Sequence, residues 1–497
     1  MNRRIRVLAL VLVVCFVLLF AQLNNLQVRE ASQLQAKSNQ LILSVPTGYS
    51  SPRGEILSSD GAVLAYSTKT PAGYVRHYPY GSLFADITGY YDSVQAADPY
   101  GVEDEYNSYL VQHQSKPKGL AGVLAQDKGT DSVVLTLSLP LQRVAEKALG
   151  GFLGAIVATD PQNGDILAMY SNPTYDPNGL SSLDPAANQR YYNSVANDRP
   201  NKAWGGALLN SATNYPIAPG STFKVITTSA MFDHDRSLLT FYSPYTDALT
   251  IKGTDLLLHN YGGETCGGVL TVILAQSCDT AYAEMGVKLG VTRLYDEATA
   301  FGFDQVPPID LPQGEVAASN FPTPASFAAN LPGIAYSAIG QEDVSETALQ
   351  NALIASAIGD NGTIMKPHVM ANIVSDVGQV VDTYGPSSWR KATSSGTANA
   401  VRTLMIGVTS YALHGTAQGV FRPGITVAAK TGTAETVNGC SADWLIATAP
   451  AGAGQTPTVA VAAVLPFQPG LTCSDTGAVA AGPRVAEVLE AALAEGR

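Results

Sequence analysis

The ten residues "APGSTFKVIT", Ala218 to Thr227, put a serine directly after Pro-Gly and a lysine three residues further on, at the head of an apolar run. Residues three apart on a helix share a face, with Cβ atoms roughly 5–6 Å apart, so Ser221 and Lys224 are predicted to touch. That is the geometry of an activated nucleophile. The spacing also has a plainer meaning, because Ser is a favoured helix N-cap and Lys an ordinary first-turn residue. It recurs as "SKPK" (Ser115 to Lys118), where Pro117 opposes a helix, and as "SWRK" (Ser388 to Lys391), in a stretch rich in Gly and Ser. The rest of the chain has to decide between the two meanings.

Two later stretches bear on the decision. "LAQSCDTAYAEMG" sets Ser277 and Asp279 between two helical segments, and "AAKTGTAET" sets Lys430, Thr431, Gly432 and Thr433 on an apolar strand. Each piece has a chemical reason. The backbone N–H of Ser221 at a helix start, with a second N–H from Thr433 on an edge strand, forms an oxyanion hole. Neutral Lys224 takes the Ser221 proton, positive charge on Lys430 lowers the Lys224 pKa, and Ser277 passes the proton to a leaving amine. Gly432 leaves room for a substrate backbone to lie along the strand, while the Thr431 and Thr433 hydroxyls hold a terminal carboxylate.

The flanking patterns supply a frame. From Ser132, "VVLTLSLPLQRVAEKAL" predicts a strand and a helix, and "GAIVATDPQNGDILAMYSNP" predicts a hairpin about Asn163-Gly164. Residues 208 to about 357 read as mainly helical. Three strands follow in "ITVAAKTGTAE", "DWLIATAP" and "TVAVAAVLP", and a last helix in "PRVAEVLEAALAEG", with Pro483 in its first turn. Strands at both ends with helices between imply an α+β fold, one antiparallel sheet carrying a helical subdomain. Ahead of it, "SPRGEILSSDGAVLAYS" predicts two strands about Asp60-Gly61, within a small irregular α+β module over 24–132.

Bulk properties narrow the class. A chain of 497 residues, 46% hydrophobic and 14% charged, holds two folded parts or more. A net charge of −12 argues against a nucleic-acid partner, and neither a metal nor a cofactor is expected, since no zinc-type Cys/His spacing occurs. Arg3, Arg4 and Arg6 precede an apolar run, which predicts a cytoplasmic tail over 1–6, an uncleaved membrane anchor over 7–23 and a chain lying outside the cell beyond it. A cleavable signal peptide is the rival, without an A-x-A-like site to support it. Of five cysteines, Cys15 falls in the anchor. The other four allow three pairings, of which Cys266 with Cys278 and Cys440 with Cys473 are favoured because each closes a local loop beside a motif.

Ser-x-x-Lys, Ser-x-polar and Lys-Thr-Gly, in this order, are the set found in penicillin-binding proteins and class A β-lactamases. With "RGEILSSDGAVLA", "GAIVATDPQNGDILAM" and "AIGQEDVSETALQNALIASAIGDNGTIMKPH", the chain resembles a class B penicillin-binding protein of the short actinobacterial type over nearly its whole length. The resemblance implies a penicillin-binding, β-lactamase-like transpeptidase domain over 133–497 on a dimerisation-like pedestal over 24–132. It implies D,D-transpeptidation of peptidoglycan: Ser221 attacks the D-Ala–D-Ala bond of a stem peptide, a neighbouring stem's amine resolves the acyl-enzyme, and β-lactams acylate the same serine. No glycosyltransferase domain is expected, so the implied partner is a polytopic lipid II polymerase of the shape, elongation, division and sporulation type.

One residue departs from the family. Asn is usual where Asp279 stands, and an ionised carboxylate accepts hydrogen bonds but cannot donate the one an Asn amide gives to a substrate carbonyl. Paired with Lys224, Asp279 raises the lysine's pKa and weakens it as a base. The alternative reading is therefore a catalytically weak or inactive penicillin-binding scaffold or sensor. A D,D-carboxypeptidase shares the chemistry but usually lacks the pedestal, and a β-lactamase needs a deacylating glutamate not found here.

Overall fold

The computed structural model describes residues 51–91, 100–111, 113–114, 128–198, 204–251, 254–327, 330–435 and 440–496, with Phe16 alone ahead of them. Apart from that residue, the expected tail and anchor over 1–23 lie outside the described residues. No helix among those described is long and apolar enough to cross a membrane.

One sheet has five antiparallel strands in the order Ala428–Glu435, Ser441–Ala449, Val459–Leu465, Gly154–Thr159, Ile166–Asn172. Successive side chains on a strand point to opposite faces, and here both faces are covered. Ile156, Ala158, Leu445, Ala447, Val461 and Ala463 pack with Leu149, Val485 and Leu489 of the helices Leu139–Leu149 and Gly482–Ala494. The opposite face, with Ala155, Val157, Ile446 and Ala462, shares a core with Leu349 and Leu353 of the wholly buried helix Ala348–Gly359. Burial on two sides explains why these strands read as continuous apolar runs rather than alternating ones.

The pedestal sheet is less local. Its order is Val380–Thr383, Met370–Val374, Ser132–Leu135, Ile56–Leu57, Val63–Thr70, Gly73–His77, so a hairpin from far down the chain completes the module expected over 24–132. Ile56–Leu57 and Val63–Thr70 pair antiparallel about Asp60-Gly61, as the turn signal predicts. Arg53 and Arg76 both reach the buried Glu103 carboxylate, at 2.8 and 2.6 Å. Burial pushes that carboxyl up, and the two guanidinium groups more than reverse it, leaving its pKa below the ordinary value.

The region from 208 to 357 carries the expected helices, among them Lys224–His234, Asp279–Leu289 and Val291–Ala300. It also holds four strands of three or four residues. Ser243–Thr246 pairs with Cys266–Gly268, and Ala248–Thr250 with Leu257–His259. "SWRK" forms a strand, Ser388–Lys391, paired with Thr363–Met365, so its serine and lysine do not share a helix face. "SKPK" lies outside the described residues.

Candidate active site

Ser221 sits in a 3₁₀ turn, Gly220–Phe223, that runs directly into the helix Lys224–His234. The tightness of this turn explains the glycine before the serine. Gly220 has φ of +55°, its N–H donates to Gly340 O at 2.9 Å, and a Cβ there would come within 2.8 Å of Thr433 O. The Trp444 indole, fully buried, donates to Ala218 O at 2.9 Å. Behind the turn, Phe223 stacks on Phe321 and meets Phe303 edge-on, with ring centroids 5.4 and 5.6 Å apart. The turn that carries Ser221 is thereby wedged between the strand Ala428–Glu435 and an aromatic core.

Three segments meet at one cluster. Lys224 Nζ donates to Ser277 O at 2.7 Å, to Asp279 Oδ1 at 2.7 Å and to Ser277 Oγ at 3.3 Å. Ser221 Oγ donates to the same Asp279 Oδ1 at 3.5 Å. The hydroxyl and the amine therefore meet through a shared carboxylate oxygen rather than by the direct contact expected from their spacing. Lys430 Nζ donates to Ser277 Oγ and to Thr431 O, both at 2.8 Å. Ser277 presents carbonyl and hydroxyl to this cluster from a left-handed backbone, φ of +61°. Asp279 opens the helix Asp279–Leu289, where negative charge is favoured, and its Oδ2 accepts from Tyr261 N at 3.2 Å.

Both lysines are fully buried. Burial lowers the Lys224 pKa; Asp279, by charge and hydrogen bond, pushes it back up without restoring the ordinary value. The expected upward push from Asp279 is real but smaller than the effect of burial, and burial rather than Lys430 accounts for the lowering. Lys430 is held well below the ordinary value, by burial first and then by the charge of Lys224, with Asp279 opposing.

The cluster opens into a cleft of about 560 Å³ whose lining includes Ser221, Ser277, Asp279, Thr431, Thr433 and Tyr261. The Thr433 hydroxyl accepts from Gly477 N at 3.3 Å, and the Thr431 hydroxyl pairs with that of Thr416 at 2.7 Å. Gly432 corrects an expectation. A Cβ there would meet Pro219 O at 2.5 Å and both Thr222 Cγ2 and Trp444 Cβ at 3.0 Å, so the space left by the missing side chain is taken by the turn that carries Ser221. Sequence reasoning missed Asn260, whose side chain donates to Thr246 O and Glu264 O and accepts from Thr280 N, and Tyr261, whose hydroxyl reaches Asp475 O. The only local signal is the turn composition Asn-Tyr-Gly-Gly at 260–263. The disulfides are Cys266–Cys278 and Cys440–Cys473, with Cα separations of 5.6 and 4.4 Å.

Two family models match the chain: the penicillin binding protein transpeptidase domain over residues 154–490 and the penicillin binding protein A dimerisation domain over residues 53–120. The chain is 35% identical to the peptidoglycan D,D-transpeptidase PbpA of Mycolicibacterium smegmatis over 100% of both chains. It is 33% identical to PbpA of Mycobacterium tuberculosis over 99% of both. Among solved structures it resembles the ceftriaxone acyl-enzyme of penicillin-binding protein A from M. tuberculosis, at TM-score 0.78 and 30% identity, covering 90% of this chain and 99% of that one. A D,D-transpeptidase domain from Eggerthella lenta follows at TM-score 0.75 and 28% identity, covering 90% and 99%.

Proposed function

We propose, from the premise that this chain belongs to the class B penicillin-binding proteins, that Ser221 is the residue acylated in peptidoglycan D,D-transpeptidation. The protein is a peptidoglycan D,D-transpeptidase that β-lactams acylate. The observation that carries the assignment of Ser221 is the meeting of its hydroxyl with Lys224 Nζ on Asp279 Oδ1, in a cleft that Ser221, Ser277 and Asp279 line, with Lys430 buried behind the Ser277 hydroxyl.

Neutral Lys224 accepts the Ser221 proton as Oγ attacks the carbonyl carbon of the penultimate D-Ala. The carbonyl oxygen becomes an oxyanion, held by the N–H groups of Ser221 and Thr433. The bond to the terminal D-Ala then breaks, and its amine leaves with the proton that Lys224 returns through Ser277 Oγ. The amine of a neighbouring stem attacks the ester, an amide forms, and Ser221 regains its proton. Lys430, Thr431 and Thr433 hold the terminal carboxylate of the donor stem. That carboxylate offsets the burial of Lys430 and favours its charged form.

The same reading carries the anchor over 7–23, with Arg3, Arg4 and Arg6 on the cytoplasmic side and the cleft outside. Family resemblance supports a separate lipid II polymerase as partner. The Asp279–Lys224 pair favours a second reading, a binding scaffold that acylates slowly, because the carboxylate holds the lysine proton. Ser221→Ala tests the assignment: labelling by a fluorescent penicillin is expected to vanish, while Ser115→Ala and Ser388→Ala label as the parent does. Persistent labelling of Ser221→Ala overturns it.

A further inference from the structure

Glu346 brackets the nucleophile turn from both ends. Its backbone pairs with Ile217 through Ile217 N to Glu346 O at 3.0 Å and Glu346 N to Ile217 O at 2.8 Å. Its side chain, fully buried, lies with Oε1 3.3 Å from Thr222 Oγ1, on the far side of Ser221.

Thr222 Oγ1 stands as the donor to Glu346 Oε1 if the acid is ionised, and a count of protons argues for the reverse direction. Thr222 Oγ1 has one proton to give and two lone pairs to fill. It lies 3.1 Å from Pro219 O and 3.3 Å from Glu346 Oε1, both oxygens, and it accepts from Asn351 Nδ2 at 3.1 Å. If Glu346 were ionised, the single hydroxyl proton would have to serve two acceptors, and one buried oxygen would go without. With a proton on Glu346 Oε1 every partner of the Thr222 hydroxyl is served, and Glu346 Oε2, buried with no hydrogen-bond partner among the described residues, is left over, which costs less on a neutral acid than on a carboxylate. Glu346 and Asn351 donate to Thr222 Oγ1, and Thr222 donates to Pro219 O, two residues before the nucleophile.

We propose that Glu346 works as a protonated carboxylic acid, a positioning residue that fixes Ser221 through the chain Glu346–Thr222–Pro219. Burial raises its pKa well above the ordinary carboxylate value, with the Thr222 hydrogen bond opposing, which fits a group that stays neutral. No ion pair involving Glu346 occurs among the described residues, where Lys224, one turn along, is committed to Asp279 and Ser277. The motif reading passes over Glu346 because its function is one of donation into a turn and not of contact with substrate.

This inference rests on Ser221 being the acylated residue, so Ser221→Ala is run beside it. The measurement is stopped-flow acylation of the full chain by benzylpenicillin, resolved into the dissociation constant of the first complex and the acylation rate constant, with a thermal midpoint for each variant. Glu346→Gln keeps a donor of the same shape and is expected to acylate within about threefold of the parent, whereas Glu346→Leu loses the donor and should be about ten- to a hundredfold slower, since small displacements of a nucleophile cost that much. The dissociation constant should stay within about twofold in both. Parent-like acylation by Glu346→Leu overturns the proposal, as does a Glu346→Gln variant as slow as Glu346→Leu. If Glu346→Leu does not fold, Thr222→Val, which cuts the chain at its middle, is read in its place with the same expectations. Labelling of Ser221→Ala would instead overturn the assignment of the nucleophile.

Discussion

The strand that forms one wall of the cleft, Ala428–Glu435, pairs residue for residue with Ser441–Ala449, whereas the facing wall, residues 257–279, is a patchwork of two three-residue strands and a short helix tied by one disulfide and the side chain of Asn260. On the sheet wall each side chain takes its place from the two-residue period of a strand with a full ladder on one side. On the helical wall a left-handed Ser277 and a helix start at Asp279 are placed by turns that few hydrogen bonds define. In the proposed function the sheet wall is the rail for a substrate carboxylate. In the same reading the facing wall supplies Ser277 and Asp279, which hold Lys224, so a substitution there is expected to shift chemistry rather than binding.

The comparison is sharpest in two lysines, Lys430 on the sheet wall and Lys224, which reaches Ser277 and Asp279 of the facing wall from the helix Lys224–His234. Lys224→Met removes the base and is expected to cut the acylation rate constant about 10²- to 10⁴-fold with little change in the first binding step. Lys430→Met should act mainly on binding, raising the dissociation constant for a penicillin. Stopped-flow kinetics on both variants breaks the comparison if the two profiles coincide. Next in size is the disulfide of the helical wall. Replacing Cys266 and Cys278 by Ala should cost roughly 2–4 kcal/mol in urea unfolding, through the loop they close. Mass mapping of the non-reduced protein is the accompanying check, where a peptide joining Cys278 to Cys440 or Cys473 would refute the pairing.

The difference between the walls also explains what could be read from the residues alone. The five strands of the main sheet and both packed helices were legible, because burial on two faces writes long apolar runs and Asn163-Gly164 marks a hairpin. The four strands between Ser243 and Gly268 were not, since three or four residues carry no measurable period. Neither was the hairpin Met370–Thr383 completing the pedestal sheet, whose pairing spans more than 200 residues and whose outer strand is fully exposed. In the site, residue types and order singled out Ser221, Lys224, Ser277 and Lys430, which the structure brings into one cluster. The packing role of Gly432 and the bracketing by Glu346 depend on which backbone lies beneath, which no local pattern records.

The smallest expected effect tests the central relation between the walls, that the Asp279 carboxylate sets the proton affinity of Lys224. Burial lowers the lysine's pKa and Asp279 raises it, so Asp279→Asn removes the upward push. More Lys224 is then neutral near pH 7, and the rising limb of acylation moves to lower pH. The Asn amide can also donate to the substrate carbonyl where the carboxylate cannot. A charge-assisted bond is worth roughly 1.5–3 kcal/mol, which corresponds to a gain of about ten- to a hundredfold. The measurement is the acylation rate constant of parent and Asp279→Asn with benzylpenicillin across pH. A faster Asn variant near neutrality, with its limb shifted to lower pH, is the predicted result; a slower Asn variant at every pH would contradict it and show that the carboxylate itself serves the reaction.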